Sequence, residues 1–150
     1  MDLSDFLTPD RVAILNSTDK PSCLDEMCRL ISRSTAIADA NDFRRAILRR
    51  EETLSTGIGL GLAVPHAKID TVKNFVLAVG IQPRGLEFDS LDKKPVHIVV
   101  MVGTPADKQR EYLRLLAEIT SLLKEEAVRV RILEAPDVAS VYKIFVAKRH

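Results

Sequence analysis

The sequence predicts an α/β (α+β) fold, a single domain in which helices cover both faces of a small mixed β-sheet. The chain has 150 residues, which is the size of one ordinary domain, and we expect residues 1–150 to form that domain. Helical apolar patterns dominate both ends of the chain. Two nearly continuous apolar runs rich in valine and isoleucine lie in the middle, as is typical of central strands covered on both faces.

Three helices are predicted before the first strand. The first begins at Thr8-Pro9, because a threonine N-cap followed by proline favours a helix start. The second begins near Pro21-Ser22, and the third runs from about Asp39 to Glu52. Apolar positions of the three helices are, in turn, Val12, Ile14 and Leu15; Cys23, Leu24, Met27, Leu30 and Ile31; Phe43, Ala46, Ile47 and Leu48. The polar face of the third, which we expect to be solvated, carries Arg44, Arg45, Arg49, Arg50, Glu51 and Glu52.

Strands are predicted at Phe75–Ile81 and Val96–Val102. The segment between them is rich in turn residues and charge, with room for a short strand or hairpin around 86–88. A long amphipathic helix is predicted to begin at Thr104-Pro105, and two shorter helices follow at about 125–133 and 136–146.

Composition excludes several classes of protein. The chain has 22 basic and 21 acidic residues, which argues against a dedicated nucleic-acid-binding protein. Its apolar runs are too short to cross a bilayer, so no membrane insertion is expected. The N-terminus lacks the pattern of a secretory signal. Cys23 and Cys28 lie five residues apart in one predicted helix, on different faces, which favours free thiols in a reducing compartment and a cytoplasmic protein.

The segment Ser55–Lys68, STGIGLGLAVPHAK, differs from the rest of the chain. Gly57, Gly59 and Gly61 alternate with apolar residues. Backbone amides around such glycines can form an anion-binding nest. A turn with close packing of neighbouring elements is an equally good explanation. The segment has neither the P-loop pattern nor the strand–glycine–helix order of a dinucleotide-binding site.

His66 follows Val64-Pro65, and a residue before proline is held in an extended conformation. We therefore expect His66 on stiff, extended backbone at a strand end or sheet edge. Its imidazole could be a general base, a metal ligand, a phosphoryl acceptor or a structural residue. A metal site is poorly supported, because His97 lies in an apolar strand and His150 is the last residue. We expect His97 to be a hydrogen-bonded strand residue and His150 to be a tail residue.

The run REETLSTGIGLGLAVPHA, Arg50 to Ala67, resembles the active-site signature of the enzyme IIA domains of the phosphotransferase system. It is similar to the fructose/mannitol (type 2) class and its nitrogen-regulatory relatives. The likeness extends more loosely to FVLAVGI, GLEFDSLDKKPVHIVVMV and YLRLLAEITSLL. It therefore covers nearly the whole chain.

The resemblance implies a phosphocarrier. His66 would accept a phosphoryl group from HPr on its tele nitrogen, and would pass it to a cysteine of an enzyme IIB domain. Arg50 would bind phosphate oxygens bidentately. The remaining charge would be held by amides and hydroxyls of the loop residues Ser55, Thr56, Gly57, Gly59 and Gly61. Positioning and charge stabilisation carry most of phosphoryl transfer, so no magnesium or other cofactor is expected.

Tyr112 departs from the family pattern, because family members carry a second histidine at this place in the long helix. A phenol can donate a hydrogen bond to a phosphate oxygen but supplies no positive charge. Simple packing is the alternative role of Tyr112.

Four functions of the chain stay open. The chain could serve sugar uptake, use phosphorylation as a regulatory signal, or be an interaction module that has lost phosphotransfer. A hydrolase or metal enzyme with His66 as base is the fourth, and no nucleophile or ligand set near His66 supports it.

Overall fold

A mixed β-sheet lies between two layers of helices in the computed structural model, which describes residues 2–148. The strands in these residues are β1 (Val12–Ile14), β2 (Gly57–Gly59), β3 (Leu62–Ala63), β4 (His66–Lys68), β5 (Val76–Leu86) and β6 (Val96–Thr104). The α-helices are α1 (Lys20–Ile31), α2 (Ala40–Thr53), α3 (Gln109–Leu123), α4 (Glu126–Glu134) and α5 (Val138–Val146). The predicted fold class is confirmed.

The sheet places β5 and β6 side by side at its centre, in antiparallel orientation. Its order is β1-β5-β6-β3-β2, and β4 also pairs with β6. Both β3 and β4 run parallel to β6 along the same edge, one after the other, with Leu62 opposite Ile98 and His66 opposite Val102. This register puts His66 near the carboxyl end of the central strand β6.

Alternate residues of the central strands pack into two separate hydrophobic cores, one on each face of the sheet. In β5, Leu77 and Val79 are buried in the core shared with α3, α4 and α5. Val76 and Ala78 are buried in the core shared with α1 and α2. The sheet is therefore covered on both faces, which explains why its two central strands read as continuous apolar runs.

Close packing of α1 on the sheet depends on Gly80 in β5. A Cβ atom at this position would lie 2.6 Å from the Met27 sulfur and 2.7 Å from a methyl carbon of Leu15. A side chain at this position would therefore force α1 away from the sheet. The glycine fixes the distance between the helix and the central strand.

The helix predicted at Thr8-Pro9 is wrong. Pro9–Arg11 form a single 3₁₀ turn, after which β1 pairs in parallel with β5. The guanidinium of Arg11 donates to the Leu77 carbonyl at 3.0 Å and to the Phe6 carbonyl at 3.1 Å, which ties the turn to the sheet. Three apolar residues over four positions cannot distinguish a helix from a strand, and here the pairing partner lies more than sixty residues away.

The predicted start of the long helix is also wrong. Thr104 is the last residue of β6, and α3 begins only at Gln109. Tyr112 therefore lies in the first turn of α3 rather than two turns into it. Strand β5 continues beyond the predicted end to Leu86, with an irregular register before that residue. The remaining helices agree with prediction, and Asp19 and Asp39 cap α1 and α2 by accepting backbone amide hydrogen bonds.

Cys23 and Cys28 are buried in α1 as free thiols, as predicted. Burial raises the pKa of both thiols to about 12, so neither is a reactive thiolate near neutral pH. None of the helices in the described part of the chain has the length and apolar character that a membrane crossing requires.

Candidate functional site

His66 lies where the chain resumes pairing with β6 after Pro65. The Pro65 carbonyl accepts the amide of Val102 at 2.9 Å, and His66 then opens β4 opposite the same residue. The backbone on both sides of the imidazole is thus fixed to the central strand. This confirms the prediction that His66 extends from stiff backbone at a strand end.

The protonation of the His66 ring follows from one hydrogen bond. Nδ1 lies 3.0 Å from the carbonyl oxygen of Val64. A carbonyl can only accept, so Nδ1 carries the hydrogen and Nε2 of the neutral ring keeps its lone pair. Burial lowers the pKa of His66, as do the charges of Arg50 and Lys68, while the Val64 carbonyl and Glu51 act in the opposite direction. The ring is therefore neutral near pH 7, with Nε2 available as a nucleophile.

His66 opens into a surface cleft of about 390 Å³ between α2 and β4. Arg49, Arg50 and Lys68 line the same cleft, and its lining includes no carboxylate. The ion pairs among the described residues do not include these three cations; their basic partners are Lys20, Arg44 and Arg45. A cleft with three unpaired cations and a neutral imidazole is suited to a small, highly charged anion.

Arg50 reaches the cleft from the last turn of α2. Its Nη1 donates to the carbonyl of Leu54 at 2.8 Å, just beyond the helix end. The C-terminal end of a helix favours a cation, so the guanidinium is stabilised there. One carbonyl uses only part of its donor capacity, and the other N–H groups stay free for a ligand.

Tyr112 packs directly on the imidazole. The two ring centroids are 5.2 Å apart with an interplanar angle of 35°. Only 5% of Tyr112 is exposed, and burial raises the pKa of its phenol while the nearby Arg50 charge lowers it. Tyr112 is thus both a core residue of the α3 layer and a neighbour of His66. The contact that the structure shows is between the rings.

Ser55 and Thr56 use their polar groups within the fold. The Ser55 hydroxyl donates to the Phe88 carbonyl and accepts the amide of Gly57, each at 3.1 Å. The Thr56 hydroxyl and its amide both donate to the carboxylate of Glu51. These groups hold the segment that leads into β2 and are not directed into the cleft.

The glycine-rich turn lies away from His66. Gly59 and Gly61 have φ angles of 99° and 75°, and the Gly61 carbonyl accepts the amides of His97 and Ile98. His66 pairs with Val102 instead. His97 and Val102 are five positions apart in β6, which is about 16 Å at 3.3 Å per residue. The structure does not bring Gly59 and Gly61 to the imidazole, and Gly57 packs against Ser90.

Glu51 is a residue that the sequence analysis misplaced on a solvated helix face. It is only 8% exposed. Besides both donors of Thr56, it holds the Lys20 ammonium at 2.8 Å, and that ammonium lies over the Phe88 ring. Glu51 joins the start of α1, the end of α2 and the approach to β2. A signal was present, because an acidic residue in the last turn of a helix opposes the helix dipole and needs a partner.

His97 does not join the site. His97 hydrogen-bonds through Nδ1 to the Gln82 carbonyl at 3.0 Å, as expected for a strand residue. His150 lies outside the described residues. Within residues 2–148, histidine, cysteine and acidic side chains form no group of three that could hold a metal ion.

A comparison with protein-family models identifies the family of the chain. Residues 5–148 match the family described as "Phosphoenolpyruvate-dependent sugar phosphotransferase system, EIIA 2". The chain belongs to this EIIA 2 family. Two curated relatives show its range. One is the fructose-specific EIIABC component of Bacillus subtilis, 32% identical over 145 residues, 96% of this chain. The other is the nitrogen regulatory protein of Pseudomonas aeruginosa, 30% identical over 145 residues, 96% of this chain.

The extents of these EIIA 2 relatives differ. The chain spans 23% of the Bacillus protein and 94% of the Pseudomonas protein.

Solved structures share the fold. Nitrogen regulatory protein IIA-Ntr of Neisseria meningitidis superposes with a TM-score of 0.88 at 22% identity, over 95% of this chain and 98% of that one. Escherichia coli IIA-mannitol, solved in complex with phosphorylated IIB-mannitol, gives 0.82 at 16% identity over 95% and 98%.

Proposed function

We propose that this EIIA 2 protein is a cytoplasmic phosphocarrier that accepts a phosphoryl group from HPr on Nε2 of His66. The observation that carries the proposal is the state of this imidazole. It is neutral, the Val64 carbonyl holds its Nδ1 hydrogen so that Nε2 keeps its lone pair, and the residue lines a cleft together with Arg49, Arg50 and Lys68.

The transfer step balances without a separate base. The Nε2 lone pair of His66 forms a bond to phosphorus while the nitrogen–phosphorus bond of the donor histidine breaks. The electron pair of the broken bond returns to the donor ring. Each ring keeps a proton on its other nitrogen, so no proton moves. The charge spreads over the three phosphoryl oxygens in the transition state, where Arg50 can donate two parallel hydrogen bonds.

The next acceptor separates two uses of the same chemistry. A cysteine of a IIB domain would make the protein a step of sugar uptake, in line with the fructose-specific relative and the IIA–IIB complex. A regulatory use would be in line with the nitrogen regulatory relative. In that case the phosphorylation state of His66 would change which proteins bind.

The experiment is incubation with phosphoenolpyruvate, enzyme I and HPr, followed by ³¹P NMR and an acid-lability assay. We expect one acid-labile phosphate per chain in the wild type. His66→Ala should take up none and keep a wild-type circular dichroism spectrum, whereas His97→Ala should still be labelled. Label in folded His66→Ala would place the acceptor elsewhere. A folded wild type that takes no label would favour the interaction module instead.

A chase with a IIB domain distinguishes the two uses. Loss of label from His66 to a IIB cysteine supports the role in uptake. Retention of label, with altered binding of other proteins, supports the regulatory role. Arg50→Ala should lower the labelling rate by about 10²-fold, by analogy with removal of one transition-state donor, with little change in stability because Arg50 lies at a helix end.

A further inference from the structure

Lys68 is exposed, yet two side chains of α3 hold its ammonium. It lies two residues after His66 in β4, so the two side chains leave the same face of the strand. Its ammonium donates to Oε1 of Gln109 in the first turn of α3. It also lies 5.3 Å from the centroid of the Tyr112 ring. An exposed lysine normally samples many rotamers, but here two residues of α3 hold its ammonium.

Tyr112 lies against both His66 and Lys68. The centroid of its ring is 5.2 Å from the centroid of the imidazole and 5.3 Å from Nζ of Lys68. An aromatic face attracts a cation at this separation. Tyr112 is nearly fully buried, so its ring is a fixed surface for the flexible lysine. The ring thereby keeps a positive charge beside the imidazole.

A phosphoryl group on His66 requires such a charge. Phosphate groups on proteins carry nearly two negative charges at pH 7, whereas Arg50 supplies one positive charge and the second arginine of the cleft lies on the same helix, α2. Arg50 is anchored to the Leu54 carbonyl at the end of α2, and Lys68 to Gln109 at the start of α3. These helices cover opposite faces of the sheet. The two cations therefore flank the imidazole from the two helical layers.

We infer that Lys68 is a catalytic residue that binds the phosphoryl group at His66, and that Tyr112 and Gln109 are positioning residues that hold its ammonium there. The inference rests on the proposed function. Lys68 uses one of its three N–H donors on Gln109, which leaves two donors for phosphoryl oxygens. It forms and breaks no covalent bond. It stabilises the charge on the oxygens while the phosphoryl group moves to Nε2.

The first test compares labelling rates by phosphorylated HPr. We expect Lys68→Met to be slower than the wild type by about 10-fold or more, in line with the loss of a charged transition-state donor. Lys68→Arg keeps the charge and should recover most of the rate. Lys143→Met is the matched control, because it removes an exposed lysine from α5, and it should label at the wild-type rate. A Lys68→Met rate within twofold of the wild type would overturn the inference.

The second test asks whether Tyr112 acts through Lys68. Tyr112→Phe keeps the aromatic face and should be labelled faster than Tyr112→Leu. Tyr112→Leu removes the aromatic face and should lose part of the rate, but Tyr112→Leu combined with Lys68→Met should be no slower than Lys68→Met alone. Multiplied losses in the double variant would show that Tyr112 does not work through the lysine. If Tyr112→Leu fails to fold, the comparison of Tyr112→Phe with Lys68→Met decides the point, since equal losses would assign the role to the hydroxyl.

The third test is independent of HPr. Inorganic phosphate is titrated into the protein, and the ring proton signals of His66 are followed by NMR. Lys68→Met should weaken phosphate binding several-fold, whereas Lys143→Met should not. If the wild type takes no label from HPr, the proposed function fails, and this titration still decides whether Lys68 binds a phosphate beside His66. Equal phosphate affinity in Lys68→Met and the wild type would overturn it.

Discussion

Replacing Glu51 by glutamine should destabilise the protein far more than the same change at the next residue. The carboxylate accepts the amide and hydroxyl of Thr56 and pairs with Lys20 at 2.8 Å, while its side chain is only 4% exposed. Glutamine has the same size but lacks the charge. Glu52, by contrast, is exposed at the helix end.

The expected size follows from these contacts. A hydrogen bond to a charged group contributes about 1.5–3 kcal/mol, and glutamine keeps part of that with Thr56. Removing one partner of a buried ion pair costs about 3–5 kcal/mol, but the Lys20 side chain is 20% exposed and can regain water. We therefore expect a loss of about 3 kcal/mol, or about 6–12 °C in Tm at 2–4 °C per kcal/mol. Glu52→Gln should stay within about 0.5 kcal/mol.

Urea denaturation followed by circular dichroism measures both variants. Lys20→Met and the double variant complete a cycle. If the ion pair matters, the double variant is less destabilised than the sum of the single changes. An unfolding free energy of Glu51→Gln equal to that of Glu52→Gln would refute the reasoning and would mean that Glu51 is solvated.

Two further predictions concern the imidazole and the strained turn. Burial lowers the pKa of His66, so its NMR titration midpoint should lie below the ordinary value of about 6.5. The unfolded chain then takes up the proton first, and the unfolding free energy falls as the pH drops from about 6.5 toward that midpoint. His66→Gln should remove this part of the pH dependence, and a midpoint at or above 6.5 would contradict the burial argument. Leu60 is 58% exposed at a φ of 60°, a conformation that asparagine tolerates better. Leu60→Asn should raise the unfolding free energy by about 0.5–1 kcal/mol in urea melts, and a lower value would show that the leucine is held by packing.

Local chemistry explains what could be predicted from the sequence. The starts of α1 and α2 have local causes, because Asp19 and Asp39 accept backbone amide hydrogen bonds from residues three positions further on. The extended backbone at His66 was predictable because Pro65 restricts the residue before it. In each case cause and effect lie within four residues.

Other features depend on distant contacts. Strand β1 exists through pairing with β5, with Val12 opposite Val79. The role of Glu51 depends on Lys20, 31 positions earlier in the chain, and the support for Lys68 comes from Gln109, 41 positions later. Nearness in sequence was also misleading, because the hydroxyls of Ser55 and Thr56 turn into the fold. No periodicity or motif reports such contacts.

The location of His66 between two cores has a consequence for folding. The imidazole lies against Tyr112 of the α3 layer, and its cleft is walled by α2 on the other face of the sheet. Neither layer forms this environment alone, and the segments that meet here are far apart in the chain. Such non-local contacts are slow to form, because the chain between them must first be brought together. Under the proposed function, a partly folded chain with only one layer in place would lack this environment, and phosphate on His66 would therefore require both layers to be folded.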